Sequence, residues 1–327
     1  MPQSSARAQA HPNIALIKYW GNRDDRLRLP ENSSLSFNLS GLTTTTEVTW
    51  TTDTENDRLT LNGSEASGEP LARVVRHLDA LRERLGIQGR ADVHSENNFP
   101  TGTGIASSAA AFAALTAAAT VAAGHELSER VLTTLARLGS GSASRSIPAG
   151  FVEWHAADTH DNSFAESIAS PDYWGLVDMI AVVSTSHKAV GSTAGHASAR
   201  TSDLQFARVE GVARRLERCK EALLGRNFQR LAQVVEEDSN MMHAIMMTSR
   251  PPLFYWLPET MGIMDAVRRW RSEGLEVCYT LDAGPNVHCI CGAGSADEVR
   301  KRLVTLSGIK DVRTAPPGGG VTIERLA

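Results

Sequence analysis

The stretch from Asn97 to Phe112 reads NNFPTGTGIASSAAAF and joins a loop rich in Gly, Thr and Ser to an alanine-rich helix pattern. Gly102, Thr103 and Gly104 have small side chains, which leave the backbone N–H groups of the loop open to a ligand. A helix that begins at about Ala106 adds the positive end of its dipole, which suits an anion such as phosphate. The loop has neither the lysine of a P-loop nor a G-x-G-x-x-G sequence after a strand. These residues alone leave two interpretations open, a phosphate loop and an ordinary turn before a buried helix.

The composition is that of an ordinary globular protein. The chain has 327 residues, of which 42% are hydrophobic and 21% are charged, and this length has room for two packed domains. The formal net charge of −4 gives no basic footprint for nucleic acid or anionic lipid. No apolar run is long enough to span a bilayer, and the first residues show no apolar core followed by a cleavage site. We therefore expect a cytoplasmic protein that acts on small molecules, with no nucleic-acid or membrane partner.

Hydrophobic periodicity predicts a mixed α and β chain in two blocks. The β-branched run at residues 43–52 and the alternating run at residues 58–65, with its Asn-Gly turn signal, predict paired antiparallel strands. A new apolar run at residues 176–186 begins a second block, and we place the domains at residues 1–180 and 181–327. Apolar spacing and turn signals predict helices at residues 70–86, 106–123, 128–138, 203–224, 228–247 and 258–273, and strands at 276–282 and 287–292.

Three further stretches carry a resemblance to a known family. HPNIALIKYWGNRDDRLRLPENSSLS (11–36), LGSGSASRSIPAGFVEW (138–154) and CYTLDAGPN (278–286) resemble segments of the mevalonate diphosphate decarboxylase family. This family lies within the superfamily of galactokinase, homoserine kinase, mevalonate kinase and phosphomevalonate kinase. The loop at 100–108 is similar to the phosphate loop of that superfamily, Pro-x-x-x-Gly-Leu/Ile-x-Ser-Ser, and the likeness includes residues 236–256 and so covers nearly the whole chain.

The resemblance implies a fold, a reaction and two cofactors. The fold is α+β with two domains, an N-terminal domain like ribosomal protein S5 domain 2 and a ferredoxin-like C-terminal domain. ATP and substrate are expected in the cleft between them, with Mg²⁺. In the family's reaction the tertiary 3-hydroxyl of a phosphorylated mevalonate is phosphorylated, and phosphate and CO2 then leave to form an alkene. A homodimer is also implied.

The chemistry of this reaction indicates which residue types are needed. A tertiary alcohol is a crowded, poor nucleophile, so a carboxylate should orient it and take its proton. The resemblance assigns this role to Asp282, although a turn-capping aspartate also suits the turn-rich sequence DAGPN. It places Lys18 beside Asp282 to polarise the hydroxyl, whereas a lysine that reaches water would be the structural alternative. Relatives that only phosphorylate this hydroxyl are expected to lack one or both residues, so the pair favours decarboxylation over kinase activity.

The remaining site residues are also carried over from the family. Arg145 has a planar guanidinium that can bind the substrate's C1 carboxylate in a fork, although a surface salt bridge is the alternative. Ser107 and Ser108 match serines that contact the ATP phosphates, and Ser107 is the expected Mg²⁺ contact. The expected substrate-binding residues are Tyr19, Asn22, Ser140, Gly141, Ser142, Arg145 and Ser192, and the expected nucleotide-binding residues are Asn97, Gly102, Thr103, Gly104, Ser107 and Ser108.

One departure from the family pattern bears on the substrate. Asn22 stands where the family has a lysine, which is expected to face the terminal phosphates of the substrate. Losing a charge-assisted bond costs roughly 1.5 to 3 kcal/mol, or about one to two decades in affinity. The sequence therefore predicts 5-phosphomevalonate as substrate and isopentenyl phosphate as product, with release of ADP, phosphate and CO2. Arg23 or Arg26 would restore the charge if either faced the substrate, and the alternatives are a diphosphomevalonate decarboxylase and a small-molecule kinase of the same superfamily.

Overall fold

The structure is a computed structural model that describes residues 4–99, 107–186 and 190–326, apart from the side chains of Ser192 and Thr193. The helices are α1 (Glu69–Leu85), α2 (Ser107–Ala122), α3 (Glu129–Gly139), α4 (Ser192–Ser198), α5 (Gln205–Glu210), α6 (Val212–Leu224), α7 (Phe228–Thr248), α8 (Pro258–Ser272) and α9 (Ala296–Val304). The strands of the first half are β1 (Ser4–Ala10), β2 (Asn13–Ile17), β3 (Asn22–Asp24), β4 (Leu29–Pro30), β5 (Ser34–Asn38), β6 (Thr44–Thr51), β7 (Arg58–Leu61), β8 (Ser64–Glu65) and β9 (Arg90–Asn97). Those that follow are β10 (Phe151–Trp154), β11 (Ala165–Ala169), β12 (Leu176–Val182), β13 (Val277–Thr280), β14 (Val287–Gly292), β15 (Asp311–Ala315) and β16 (Thr322–Leu326).

The largest sheet has six strands in the order β16-β1-β6-β9-β7-β8. Buried and half-buried residues alternate along β6, because one face of the sheet is covered by α2. The alanines of α2 are nearly all buried, and their small side chains let the helix lie close to β1 and β6. Trp50 of β6 donates a hydrogen bond from Nε1 to the Ala119 carbonyl oxygen at 2.9 Å, which ties the sheet to this helix.

The pairing predicted between the two N-terminal runs is wrong. β6 pairs with β1 and β9, and β9 lies between β6 and β7. β7 runs parallel to β9, and its antiparallel partner is the short β8 across the turn at Asn62 and Gly63. The local pattern identified both strands but not their neighbours, because β9 comes from a segment beyond α1.

The C-terminal sheet has the order β13-β14-β12-β15, and all of its neighbouring strands are antiparallel. Along the chain, β12 is followed by helices, then β13, β14, α9 and β15, which is the βαββαβ order of a ferredoxin-like domain. α8 and α9 cover one face of this sheet. α6 and α7 lie between the sheet and β2 of the N-terminal part, in one core that includes Leu16, Leu231 and Ile290.

The predicted domain division at residues 180 and 181 falls inside β12. The last strand, β16, belongs to the N-terminal part of the structure, because it pairs with β1 in the six-stranded sheet. The predicted helix at residues 203–224 is two helices, α5 and α6, separated at Gly211. None of the described helices is long and apolar enough to cross a membrane.

Candidate active site

A cavity of about 600 Å³ lies where the two halves of the structure meet, and its volume is typical of small-molecule sites. The segment after β2, the start of α2, the loop after α3 and the turn after β13 all contribute to its wall. One part of the wall is apolar and includes Leu59, Val93 and Leu115. The remaining wall is polar and charged, so one ligand with both an apolar and an anionic part, or two ligands, would fit.

Lys18 and Asp282 form an ion pair in this wall, with Nζ and Oδ1 2.7 Å apart. Lys18 is 1% exposed, whereas 28% of the Asp282 side chain is open to the cavity. Burial raises the pKa of Asp282, but the charges of Lys18 and His288 and the hydrogen bond from Lys18 outweigh it, so the pKa is lowered below its ordinary value. Asp282 is therefore ionised at neutral pH and can accept a proton from a bound hydroxyl.

α7 holds both members of the pair through adjacent side chains. Asp238 accepts a hydrogen bond from the Lys18 backbone N–H at 2.6 Å, and Arg215 donates from Nε to the other oxygen of Asp238 at 2.7 Å. The Ser239 hydroxyl accepts a hydrogen bond from the backbone N–H of Leu281, the residue before Asp282, at 3.0 Å. Since β2 and β13 belong to different sheets, one turn of α7 fixes the two reactive side chains relative to each other.

The substitution Asp238→Asn should lower kcat about tenfold or more, because the backbone of Lys18 loses a charged anchor and small displacements at a reacting centre are costly. Burial lowers the pKa of Lys18. The charges of Asp282 and Asp238 oppose this effect, and the charge of Arg145 adds to it. Removing the Asp238 charge should therefore lower the Lys18 pKa further and move the alkaline limb of the kcat–pH profile to lower pH.

Glu236→Gln provides a matched control on the same helix. The Glu236 carboxylate accepts two hydrogen bonds from Arg271, at 2.5 and 2.7 Å, and one from the Tyr279 backbone N–H at 3.2 Å. It thus has the same kinds of partner as Asp238 but makes no contact with Lys18. Both variants should lose stability, and only Asp238→Asn should shift the pH profile. Equal profiles in the two variants would show that Asp238 is only a structural residue.

Arg145 is 3% exposed and is held by neutral oxygen atoms. It donates from Nη1 to the Ser34 hydroxyl at 2.6 Å, from Nε to Ser36 at 3.1 Å, and from Nη2 to Asn13 Oδ1 at 3.2 Å. Among the described residues, no carboxylate lies within ion-pair distance of it, so the surface salt bridge considered above does not apply. Burial lowers the pKa of Arg145 to about 10, and the charge of nearby Asp282 only partly offsets this effect. Arg145 is therefore still a cation at neutral pH, and it faces the cavity without an ion-pair partner among the described residues.

The loop after α3 packs against Tyr19 and the start of α2. A Cβ atom at Gly141 would lie 2.6 Å from the Tyr19 ring, so this close approach requires glycine. The Ser140 hydroxyl lies 3.2 Å from the Ser108 hydroxyl, which joins this loop to α2. Residues Tyr19, Ser107, Ser108, Ser140, Gly141, Ser142, Arg145 and Asp282 thus line one cavity, as does Asn97 at the end of β9.

Asn22 is not part of the cavity wall. The Tyr19 hydroxyl donates to Asn22 Oδ1, and the Asn22 amide donates to Asp25 at 3.0 Å, so both ends of the side chain have protein partners. Arg23 and Arg26 are exposed and do not line the cavity either. The structure therefore does not bring Asn22, the predicted substrate contact, to the site, and the exposure of Arg23 and Arg26 fits two arginines of a solvated loop.

Four predicted contacts cannot be placed. Gly102, Thr103 and Gly104 lie outside the described residues, and so does the side chain of Ser192, whose backbone begins α4. Ser107 is the first residue of α2. Its predicted contact with Mg²⁺ stays a prediction. A phosphate at the start of that helix would face the positive end of its dipole.

The cavity wall includes several residues that the sequence did not indicate, among them two arginines and a histidine. Arg28 and Arg73 bring two further cations, and His196 stacks on the Tyr19 ring with centroids 4.1 Å apart. His196 also accepts a hydrogen bond at Nδ1 from the Gly21 backbone N–H at 3.0 Å. Arg28 lies in the family-like segment at residues 11–36, but residue spacing does not predict that its side chain faces the cavity. Spacing also does not predict where α4, which contains His196, packs.

Comparison with known families identifies the chain. A family model described as a diphosphomevalonate decarboxylase-like N-terminal domain matches residues 10–165, and one described as a mevalonate 5-diphosphate decarboxylase C-terminal domain matches residues 178–314. The chain belongs to the diphosphomevalonate decarboxylase family. The diphosphomevalonate decarboxylase of Candida albicans is similar to it, with 38% identity over 318 residues that cover 91% of this chain and 87% of that one.

Solved structures of the diphosphomevalonate decarboxylase family have the same fold. Mevalonate diphosphate decarboxylase from Staphylococcus aureus matches with a TM-score of 0.94 and 36% identity, over 98% of this chain and 98% of that chain. A structure of MDDEF in complex with MVAPP, AMPPCP and magnesium matches with a TM-score of 0.94 and 34% identity, over 99% of this chain and 100% of that chain. The predicted α+β fold with two domains, and the family resemblance, are confirmed.

Proposed function

We propose that this protein catalyses the ATP-dependent decarboxylation of mevalonate 5-diphosphate to isopentenyl diphosphate, with release of ADP, phosphate and CO2. The observation that carries the proposal is the Lys18–Asp282 ion pair at 2.7 Å in a cavity that also holds the unpaired guanidinium of Arg145. The relatives named above support the substrate, and the complex of a family member with AMPPCP and magnesium supports ATP and Mg²⁺. A homodimer remains a prediction.

In the proposed mechanism three residues of the cavity wall have separate roles. Asp282 accepts the proton of the 3-hydroxyl, and Lys18 stabilises the oxygen as negative charge develops on it. That oxygen attacks the γ-phosphorus of ATP, and ADP leaves as its bond to this phosphorus breaks. The phosphorylated oxygen then leaves as phosphate while the C1–C2 bond breaks, so that C1 departs as CO2 and the electron pair of that bond forms the alkene between C2 and C3. Arg145 holds the C1 carboxylate in the plane that this departure needs. Mg²⁺, when bound through Ser107 and the nucleotide, would neutralise phosphate charge.

The apolar part of the cavity suits the base of the nucleotide. It is lined by side chains of the six-stranded sheet and α1, including Leu59 and Val74. A purine ring buried there would place its phosphates near Ser107 and Ser108. This arrangement keeps the two substrates in one cavity, as transfer of a phosphoryl group requires.

The diphosphate replaces the monophosphate that Asn22 suggested. The curated relatives and the solved structures concern the diphosphate, and nothing in them favours 5-phosphomevalonate. The substrate 5-phosphomevalonate stays a second candidate because of Asn22. This side chain is neutral where the family has a lysine, and it is hydrogen-bonded to Tyr19 and Asp25.

The wild-type protein should have a higher kcat/KM for mevalonate 5-diphosphate than for 5-phosphomevalonate. The kcat/KM for one substrate divided by the kcat/KM for the other reports the difference in transition-state binding. The fraction of active protein cancels in this quotient. The measurement is the initial rate of ADP release with each substrate at saturating ATP and Mg²⁺. A higher kcat/KM for the monophosphate would contradict the proposed substrate and restore the prediction made from Asn22.

A further inference from the structure

The hairpin formed by β3 and β4 turns one of its arginines inward. Arg23 and Arg26 are exposed, whereas Arg28, immediately before β4, is partly buried and lines the cavity. The Arg28 backbone has a φ of 49°, in the left-handed region that residues other than glycine rarely adopt. Such conformations cluster at functional sites, where the surrounding structure maintains them.

The Arg28 guanidinium is tethered at one nitrogen only. Its Nε donates to the Leu138 carbonyl oxygen at 2.9 Å, two residues before Ser140. Among the described residues, no carboxylate lies within ion-pair distance of Arg28, and neither terminal nitrogen has a protein hydrogen-bond partner. Burial lowers the pKa of His77 to about 3, and the charge of Arg28 adds to this effect because it lies near that buried ring. Both terminal nitrogens are thus available to an anion beside the loop at residues 140–142.

The charges in the cavity wall do not balance without a ligand. Lys18 is neutralised by Asp282, and the other acid of the wall, Glu69, pairs with Arg76 outside the cavity. This leaves Arg28, Arg73 and Arg145 without an ion-pair partner among the described residues. In the proposed mechanism Arg145 binds the C1 carboxylate at the reacting end of the substrate. A second anionic group of the substrate, bound near the hairpin, would neutralise Arg28.

We propose that Arg28 binds the terminal phosphate of the substrate's 5-diphosphate, in place of the cation that is missing at Asn22. This inference rests on the proposed function. The planar guanidinium can give two parallel N–H bonds to phosphate oxygens while its Nε stays on Leu138. The family-like hairpin thus keeps a cation for the diphosphate, supplied by the residue before β4 rather than from β3.

Arg28→Gln tests this role with Arg26→Gln as its control on the same hairpin. We expect Arg28→Gln to raise KM for mevalonate 5-diphosphate roughly 10- to 100-fold, with a smaller effect on kcat, because a charge-assisted bond to the substrate is lost. KM for ATP and kcat/KM for 5-phosphomevalonate should change little. The exposed Arg26 should tolerate the same substitution without a change in either constant.

A second substitution should reverse the effect. Asn22→Lys in the Arg28→Gln background introduces the longer, charged side chain that the family has at this position and that is expected to face the terminal phosphates. The preference for the diphosphate should therefore recover at least in part, although Asn22 itself does not line the cavity. Arg28→Lys keeps the charge and should lie between the wild type and Arg28→Gln, and melting temperatures identify any variant that folds poorly. Isothermal titration of each variant with mevalonate 5-diphosphate, without nucleotide, should show the same order of affinities.

Three results would overturn the inference: an increase in the KM for ATP alone, an equal loss for both phosphorylated mevalonates, or kinetics unchanged in Arg28→Gln. The first would assign Arg28 to the nucleotide, and the second to the structure of the hairpin. Failure of the proposed function is separate, because it appears in the wild type as absent turnover of mevalonate 5-diphosphate or as preference for the monophosphate.

Discussion

Asp282→Asn should lower kcat roughly 10² to 10⁴-fold, the range expected when a general base is removed. The amide has the same shape as the carboxylate and cannot take the proton of the 3-hydroxyl. Nucleotide affinity should remain near that of the wild type, since Asp282 belongs to the part of the cavity beside Lys18 rather than to its apolar part. The measurement is ADP and CO2 release in a single turnover, with ATP affinity from a separate titration. Full activity in Asp282→Asn would remove the proposed base.

The same variant should show a stability that depends on pH. Lys18 is 1% exposed and loses its counter-charge, so folding must bury either an unpaired cation or a neutral amine. Burial already lowers the Lys18 pKa below its unfolded value, and loss of Asp282 lowers it further. The unfolded chain then binds more protons than the folded one, so stability relative to the wild type should recover as pH rises toward the ordinary lysine pKa. Denaturant unfolding at several pH values measures this recovery.

Arg145→Lys should lower kcat/KM for the phosphorylated mevalonate roughly 10²-fold, although the charge is kept. A lysine has no planar fork, so it cannot contact Asn13 and Ser34 and still bind a carboxylate through two parallel bonds. Positioning of a reacting group contributes strongly to rate, and small displacements cost about this much. The measurement is kcat/KM together with the melting temperature. Unchanged kinetics in a destabilised protein would mean that Arg145 serves only the fold.

Local structure was largely predictable from the residues. The Ser128 hydroxyl caps α3 by accepting from the Val131 N–H, and a left-handed Gly86 ends α1, as their positions in the sequence indicated. These signals depend on neighbouring residues, which a single sequence contains. The strand order was not predictable, because β9 enters between β6 and β7 through contacts that no local pattern records.

The site was predictable only where the family resemblance reached it. Lys18 and Asp282 are separated by 264 positions, so their 2.7 Å contact follows from the fold and not from spacing. The oxygens that hold Arg145 come from β2 and β5, and no sequence signal links them to it. Asn22 shows the limit of such an argument, since this single residue predicted the monophosphate, whereas the relatives support the diphosphate.

The most direct test of the proposed reaction is the ratio of ADP to CO2 released by the wild-type protein acting on mevalonate 5-diphosphate with ATP and Mg²⁺. A cavity that joins the Lys18–Asp282 pair to Arg145 should couple phosphorylation to loss of the carboxylate, so we predict one CO2 for each ADP. Carbon-13 label at C1 and a coupled ADP assay measure both products in one reaction. Release of ADP without CO2 would identify a kinase and contradict the proposed decarboxylation.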